Sequence, residues 1–151
     1  VAAMANESGE LEDASKSAGR NRVTLFSAES GGAERYTFEW DELKNEIIGE
    51  KEKALKEYFD ASSEHGRNML YNMLDFLRSA DEDNRINIAR LAYLLARTEP
   101  GEKSGEEKKV RHRAFSKKIY KWALNENGKD RSQLITAVYL YVYETRVKKG
   151  E

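Results

Sequence analysis

Apolar and polar positions alternate along the chain with two different periods. Arg22-Val23-Thr24-Leu25-Phe26-Ser27 and Arg35-Tyr36-Thr37-Phe38 alternate at a period of two around Ser30-Gly31-Gly32. That pattern predicts a short N-terminal β-hairpin or extended segment over residues 22–38. From Trp40 the period becomes helical. Trp40, Leu43, Ile47, Ala54 and Tyr58 recur at intervals of three, four and seven, which predicts one buried stripe on a first helix to about residue 60.

A second helix is expected over about 63–79, with Ser62 or Ser63 placed to accept an unpaired first-turn N–H. Met69, Met73 and Phe76 form its core face, with Leu70, Leu74 and Leu77 beside them. Asp81-Glu82-Asp83 stops it and supplies the acidic start of a third helix over about 83–98, which buries Ile88, Leu91, Ala92 and Leu95. Glu99-Pro100-Gly101 and the polar residues to Glu107 form a loop. A fourth helix over about 107–126 turns Phe115, Ile119 and Trp122 inward, and Asn127-Gly128 ends it. Asp130 and Gln133 have the spacing of a capping box opening a last helix to about Arg146. Leu134 to Tyr143 is apolar on all sides, so this helix belongs at the centre of the bundle. The expected fold is all-α: a single-domain bundle of about five helices over residues 39–148. Residues 1–21, small, polar and acidic without apolar period, form a disordered tail on this reading.

Composition narrows the function classes. Cysteine is absent, which removes disulfides, a thiolate nucleophile and a cysteine zinc site. No apolar run approaches the length of a membrane span, and Val1-Ala2-Ala3-Met4 lacks the order of a signal peptide, so a cytoplasmic protein with no membrane partner is expected. The net charge of −1 hides an uneven distribution. Residues 35–100 hold ten cations and fourteen acids, whereas residues 101–151 hold thirteen and seven. A basic C-terminal third on an acidic body points to one surface that faces a polyanion.

Candidate catalytic chemistry is sparse. His65 and His112 are far apart and sit among polar residues; the second, surrounded by cations, suits a minor phosphate contact. Gly101-x-x-x-Gly105 lacks the Gly-Lys-Ser/Thr ending of a phosphate loop and follows a helix rather than a strand. The eight tyrosines fall mainly on apolar stripes, so no aromatic residue is expected to offer itself to a base. With no metal or nucleophile constellation, the expectation is a protein that is not an enzyme and needs no cofactor. The strongest local feature is residues 108–121, with seven cations and no acid: Lys108, Lys109, Arg111, Arg113, Lys117, Lys118 and Lys121. Arg113, Lys117 and Lys121 lie opposite Phe115, while Arg111 and Lys118 flank the buried stripe. Solvated helix faces usually mix signs because like charges on adjacent turns repel. Lysine and arginine without acids match a phosphate backbone. The alternative is a helical adaptor that docks this basic helix on an acidic protein.

Three segments carry a family resemblance. They are Ser62-Ser63-Glu64-His65-Gly66-Arg67-Asn68, Arg90-Leu91-Ala92-Tyr93-Leu94-Leu95-Ala96-Arg97, and Ala137-Val138-Tyr139-Leu140-Tyr141. In this order the chain resembles the small subunit of type III (Csm-type) CRISPR interference complexes over about residues 37–147, departing at Gly66 and Thr136. The resemblance implies a non-catalytic RNA-binding subunit in antiviral defence. Its partners would be guide RNA and target RNA, RRM-fold backbone subunits, the large polymerase-like subunit, and copies of itself. It carries a backbone-contacting role to Arg67, Arg90 and Arg97, to which the basic helix adds Arg111, Arg113, Lys117, Lys118 and Lys121.

Overall fold

The computed structural model describes residues 21–26, 33–60, 66–79, 84–125 and 128–147, with short pieces of the first twenty. The tail expected over residues 1–21 falls mostly outside them. Of its described residues, Glu12, Asp13, Lys16 and Ser17 have helical backbone. Strands β1 (Arg22–Thr24) and β2 (Thr37–Glu39) pair antiparallel in the register Arg22↔Glu39, Val23↔Phe38 and Thr24↔Thr37. The hairpin expected from alternation is therefore present, shorter than the pattern that predicts it. Tyr36 and Phe38 enter the core. Phe26 adopts a left-handed φ of 56°. Its ring stacks on Tyr143 at 5.6 Å and leans on Tyr139 at 5.0 Å, which fastens the hairpin to the last helix.

Helix α1 covers residues 40–59 as an opening turn (Trp40–Glu42), a π-helical stretch (Leu43–Glu52) and an α-helical end (Lys53–Phe59). The π stretch changes which residues face inward. Leu43, Ile47, Lys51, Leu55 and Phe59, every fourth residue, are buried. An α-helix drifts by roughly 40° at each step of four, and the wider π turn offsets that drift. Trp40, expected on the buried stripe, is instead 53% exposed, and Tyr58 is half-buried.

Helices α2 (Gly66–Ser79) and α3 (Asn84–Arg97) pack against each other. Met69, Leu70, Met73, Leu74 and Leu77 face Ile88, Leu91 and Leu95 within one core. Asn87 donates its amide to the Ser79 carbonyl at 2.8 Å, satisfying an end group of α2. The expected Ser62 or Ser63 cap lies outside the described residues. Helix α4 (Glu106–Ala123) buries Phe115, Ile119 and Trp122, as the pattern requires.

Helix α5 (Lys129–Val147) is the centre of the bundle. Eight consecutive residues, from Arg131 to Val138, are buried. Fully burying an aliphatic side chain such as Leu134, Ile135 or Val138 is worth roughly 1.5–3 kcal/mol. The polar members of this run are all bonded. Arg131 donates Nε and Nη2 to the Ala123 carbonyl at 3.1 and 3.0 Å, placing a cation at the negative end of α4. Thr136 donates to the Ser132 carbonyl. The expected capping box at Asp130 and Gln133 is not used: Gln133 is fully buried and its side chain bonds to α1.

Candidate nucleic-acid interface

Helices α3 and α4 stand side by side, joined through a short 3₁₀ turn, Glu102–Ser104. Helix α3 carries no carboxylate between Asn84 and Arg97. Its solvent face shows Arg85, Ile86, Ala89, Arg90, Tyr93, Ala96 and Arg97, all exposed. Helix α4 has no acid after Glu107 until its end at Ala123. There Lys108, Arg113, Lys117, Lys118 and Lys121 are exposed, while Lys109 and Arg111 are half-buried. The acids of this region cluster at the connecting loop and the first turn of α4, at Glu99, Glu102, Glu106 and Glu107.

The pairing of these cations differs. Arg113 is tied down: its Nε lies 2.8 Å from Glu99 Oε1, and its Nη1 lies 4.0 Å from Glu106 Oε1. Arg90 touches only Asn87 Oδ1, at a long 3.5 Å. Among the described residues, no carboxylate stands within ion-pairing distance of Arg90, Arg97, Lys117, Lys118 or Lys121. Arg111 lies near Tyr58, whose hydroxyl has its pKa raised by burial and drawn partly back by that guanidinium. Arg67 is on the first turn of α2, and its side chain lies outside the described residues. The structure thus brings together the α3 pair and the α4 set on neighbouring helices.

A groove of about 310 Å³ runs between the two helices, floored by Ala92, Leu95 and Ala96, with Ser116 and Tyr120 on the α4 side and the Glu99–Arg113 pair at one end. Two sequence expectations change here. His112 is not a surface residue available to phosphate. It is 2% exposed, bonded through Nε2 to the Leu95 carbonyl at 2.8 Å and through Nδ1 to the Tyr58 hydroxyl at 2.6 Å. A carbonyl only accepts, so Nε2 carries the proton and joins α4 to α3; Nδ1 accepts from Tyr58 of α1. The imidazole turned inward because it occupies the Phe115 side of the helix, where Tyr58 stacks on Phe115 at 3.9 Å. The tyrosines also depart from expectation. Tyr71, Tyr93, Tyr120 and Tyr143 are exposed, and Tyr93 reaches 66%.

Sequence reasoning missed Arg85, Tyr93 and Tyr120. The acid-free run of α3 was a readable signal for the first two; no local signal marks Tyr120 as a groove wall. Among the described residues, no group of three or more histidines, aspartates or glutamates is arranged to hold a metal. No described helix is long and apolar enough to cross a membrane.

Residues 56–147, which include all of this surface, match the family described as CRISPR RNA silencing complex Cmr2 subunit, second helical domain. The chain belongs to that family. It is 33% identical over 146 residues to a Streptococcus thermophilus protein named CRISPR system single-strand-specific deoxyribonuclease Cas10/Csm1 (subtype III-A). Proteins of the same name from Mycobacterium tuberculosis and Enterococcus italicus are 36% identical over 152 residues and 37% over 146. These alignments cover 97%, 100% and 97% of this chain but only 18%, 17% and 16% of the respective relatives. The chain is thus homologous to one segment of a large type III CRISPR effector subunit, and the placement in type III systems stands. The expectation of a protein that is not an enzyme is overturned, since these relatives are named as deoxyribonucleases. The 151 residues correspond to under a fifth of such a protein.

Proposed function

We propose that this chain is a helical module of a Cas10/Csm1-like subunit of a type III interference complex, gripping nucleic acid by its phosphates without reading sequence. It performs within that larger assembly the backbone-holding role that the resemblance to small subunits implies, in cytoplasmic antiviral defence. Guide RNA and target RNA are its ligands, and RRM-fold backbone subunits are its protein neighbours. The larger Cas10/Csm1-like subunit of which this chain is a module carries the nuclease chemistry named for its relatives.

The observation that carries this reading is the juxtaposition of acid-free α3 with the acid-free stretch of α4 that follows Glu107. Arg90 and Arg97 on α3, and Lys117, Lys118 and Lys121 on α4, are exposed with no carboxylate within ion-pairing distance among the described residues. Cations left unneutralised by the fold release counterions when they meet phosphates, and each such contact steepens the salt dependence of binding. Arg111 and Arg113 contribute less, one half-buried and the other already engaged by Glu99. Arg67 is the family-matched member on α2.

The test is recovery of the tagged protein from its host, with mass spectrometry of bound proteins and sequencing of bound RNA. Guide RNAs arriving with RRM-fold subunits support the reading. An acidic protein recovered without RNA would replace it with the adaptor alternative.

A further inference from the structure

Glu52 and Lys56 stand four residues apart on α1, acid before base, the order that supports a solvated helix face. The fold turns the acid inward instead. Glu52 is 2% exposed and follows buried Lys51 at the end of the π stretch. Lys56 Nζ lies 3.0 Å from Glu52 Oε1 and 2.8 Å from Glu144 Oε2 on α5, so one ammonium stands between two carboxyl groups. Its approach to Glu52 is an ion pair without hydrogen-bond alignment, and Glu52 Oε1 receives no hydrogen bond among the described residues. The Glu144 carboxyl stands within hydrogen-bonding reach of the Glu52 carboxyl. A buried charge must be paired or neutralised, and one lysine balances only one of two carboxylates. We propose that Glu52, Lys56 and Glu144 form a pH-sensitive latch, in which one proton held between the two carboxyl groups fastens the C-terminal half of α5 to α1 and its loss releases that half.

The surroundings set the direction of the response. Two carboxyl groups in one site resist ionising together, and they titrate as a pair. Burial raises the Glu52 carboxyl above its ordinary value of 4.5; Lys56 offsets part of that rise and Glu144 adds to it. The folded protein therefore keeps a proton that the unfolded chain has already released. The stabilisation is complete below the ordinary value and is lost as pH rises through the raised one. Among the described residues, the charged groups that act on Glu52 are Lys56 on its own helix and Glu144 on α5. Arg111 and His112 of α4 bear on Tyr58 instead. The Tyr141 phenol, bonded to Asp60, titrates toward about 12, far above this window.

The position of the latch decides what opens. From Arg131 to Val138 every residue of α5 is buried, whereas from Tyr139 to Arg146 only Tyr141 is. The first half is held by the core and by the bond from Lys51 to Gln133. The second half depends on side-chain links: Glu144 to Lys56, Tyr141 to Asp60, and Tyr143 on Phe26. Local opening begins where buried apolar contacts are fewest.

The experiment is amide hydrogen exchange of the full chain, read by mass spectrometry from about pH 5 to about pH 8, with each rate divided by the intrinsic rate at that pH. Protection of residues 139–147 is expected to fall as pH rises, by at most about tenfold per pH unit, the limit for one proton. Protection of residues 131–138 is expected to hold. Glu144→Gln keeps an amide donor that never ionises, and it should flatten the decline; half-exposed Glu144 tolerates the change even if Glu52→Gln, at the buried side, does not fold. Protection of 139–147 that is independent of pH overturns the latch. So does a decline that persists unaltered in Glu144→Gln, or one shared equally by residues 131–138, which marks global unfolding.

Discussion

Two charged regions of this molecule use the same residue types in opposite ways. At the junction of α1 and α5, Lys51 is 1% exposed. Its ammonium donates to Gln133 Oε1 at 2.7 Å, pairs with Asp130 Oδ1 at 3.1 Å and lies 5.1 Å above the Trp122 ring. Gln133 Nε2 in turn donates to Glu42 Oε1 at 2.6 Å and Glu46 Oε2 at 2.7 Å. Every group there answers another, and the cluster binds the first helix to the last. On α3 and α4, Arg90, Arg97, Lys117, Lys118 and Lys121 have no carboxylate within ion-pairing distance among the described residues and remain in water. The contrast separates structural charge from charge held in reserve: a buried cation must be paired within the fold, whereas an exposed unpaired one is free for a partner.

The largest effect that tests this contrast falls on the junction. Lys51→Ala strands Gln133 and Asp130 and is expected to cost about 3–5 kcal/mol of stability, measured by urea unfolding. A loss below that of an ordinary surface substitution would show that the junction is not structural. Next comes the histidine link. Tyr58→Phe leaves His112 Nδ1 buried without a donor, at a cost of about 1–3 kcal/mol, read by the same method.

Tyr141 gives a smaller effect with a pH signature. Burial, reinforced by its hydrogen bond to Asp60 Oδ1 at 3.0 Å, pushes the phenol from its ordinary value of 10.0 up to about 12. The folded protein then holds a proton that the unfolded chain releases above the ordinary value. The resulting stabilisation is complete below pH 10 and is lost as pH rises toward 12. Tyr141→Phe is expected to lose about 1 kcal/mol at neutral pH and to flatten this alkaline decline. An unchanged slope between these limits would assign the decline to other groups. The smallest effect on folding belongs to the reserved charges. Arg97→Ala and Lys117→Ala should change stability by less than about 0.5 kcal/mol yet lower the salt slope of RNA binding by about 1 each. A base-dependent loss for Arg97→Ala would contradict a grip on phosphates alone.

Helix positions were legible because their apolar periods are strong. Met69–Met73 and Phe115–Ile119–Trp122 sit in the core as their spacing implies. The exceptions are instructive. Trp40, on the opening turn ahead of the π stretch, lies off the stripe that Leu43 and Ile47 form. The every-fourth-residue pattern from Leu43 to Phe59 contains Lys51, which apolar periodicity discards. Gln133 had the spacing of a cap, but a fully buried amide facing two carboxylates gains more from bonding across the bundle. Of the candidate surface, Arg90, Arg97 and the lysines of α4 were visible as cations without acids. Tyr93 was hidden because it lies within the apolar run Leu91-Ala92-Tyr93-Leu94-Leu95, where local pattern does not separate its exposed side from the buried one.

By itself, the order of apolar and polar residues determined five helices, a hairpin ahead of them and a central last helix, because burial of a periodic face is a local property of each segment. It also determined that α3 and most of α4 lack acids. Only the tertiary structure decided which charged side chains would be neutralised. That outcome depends on which helices become neighbours: α5 brought Gln133 and Asp130 to Lys51, α1 and α3 enclosed His112, and among the described residues no carboxylate came within ion-pairing distance of Arg90 or Arg97. Partnership between charges acts over a few ångströms between residues far apart in the chain, and no local pattern encodes it.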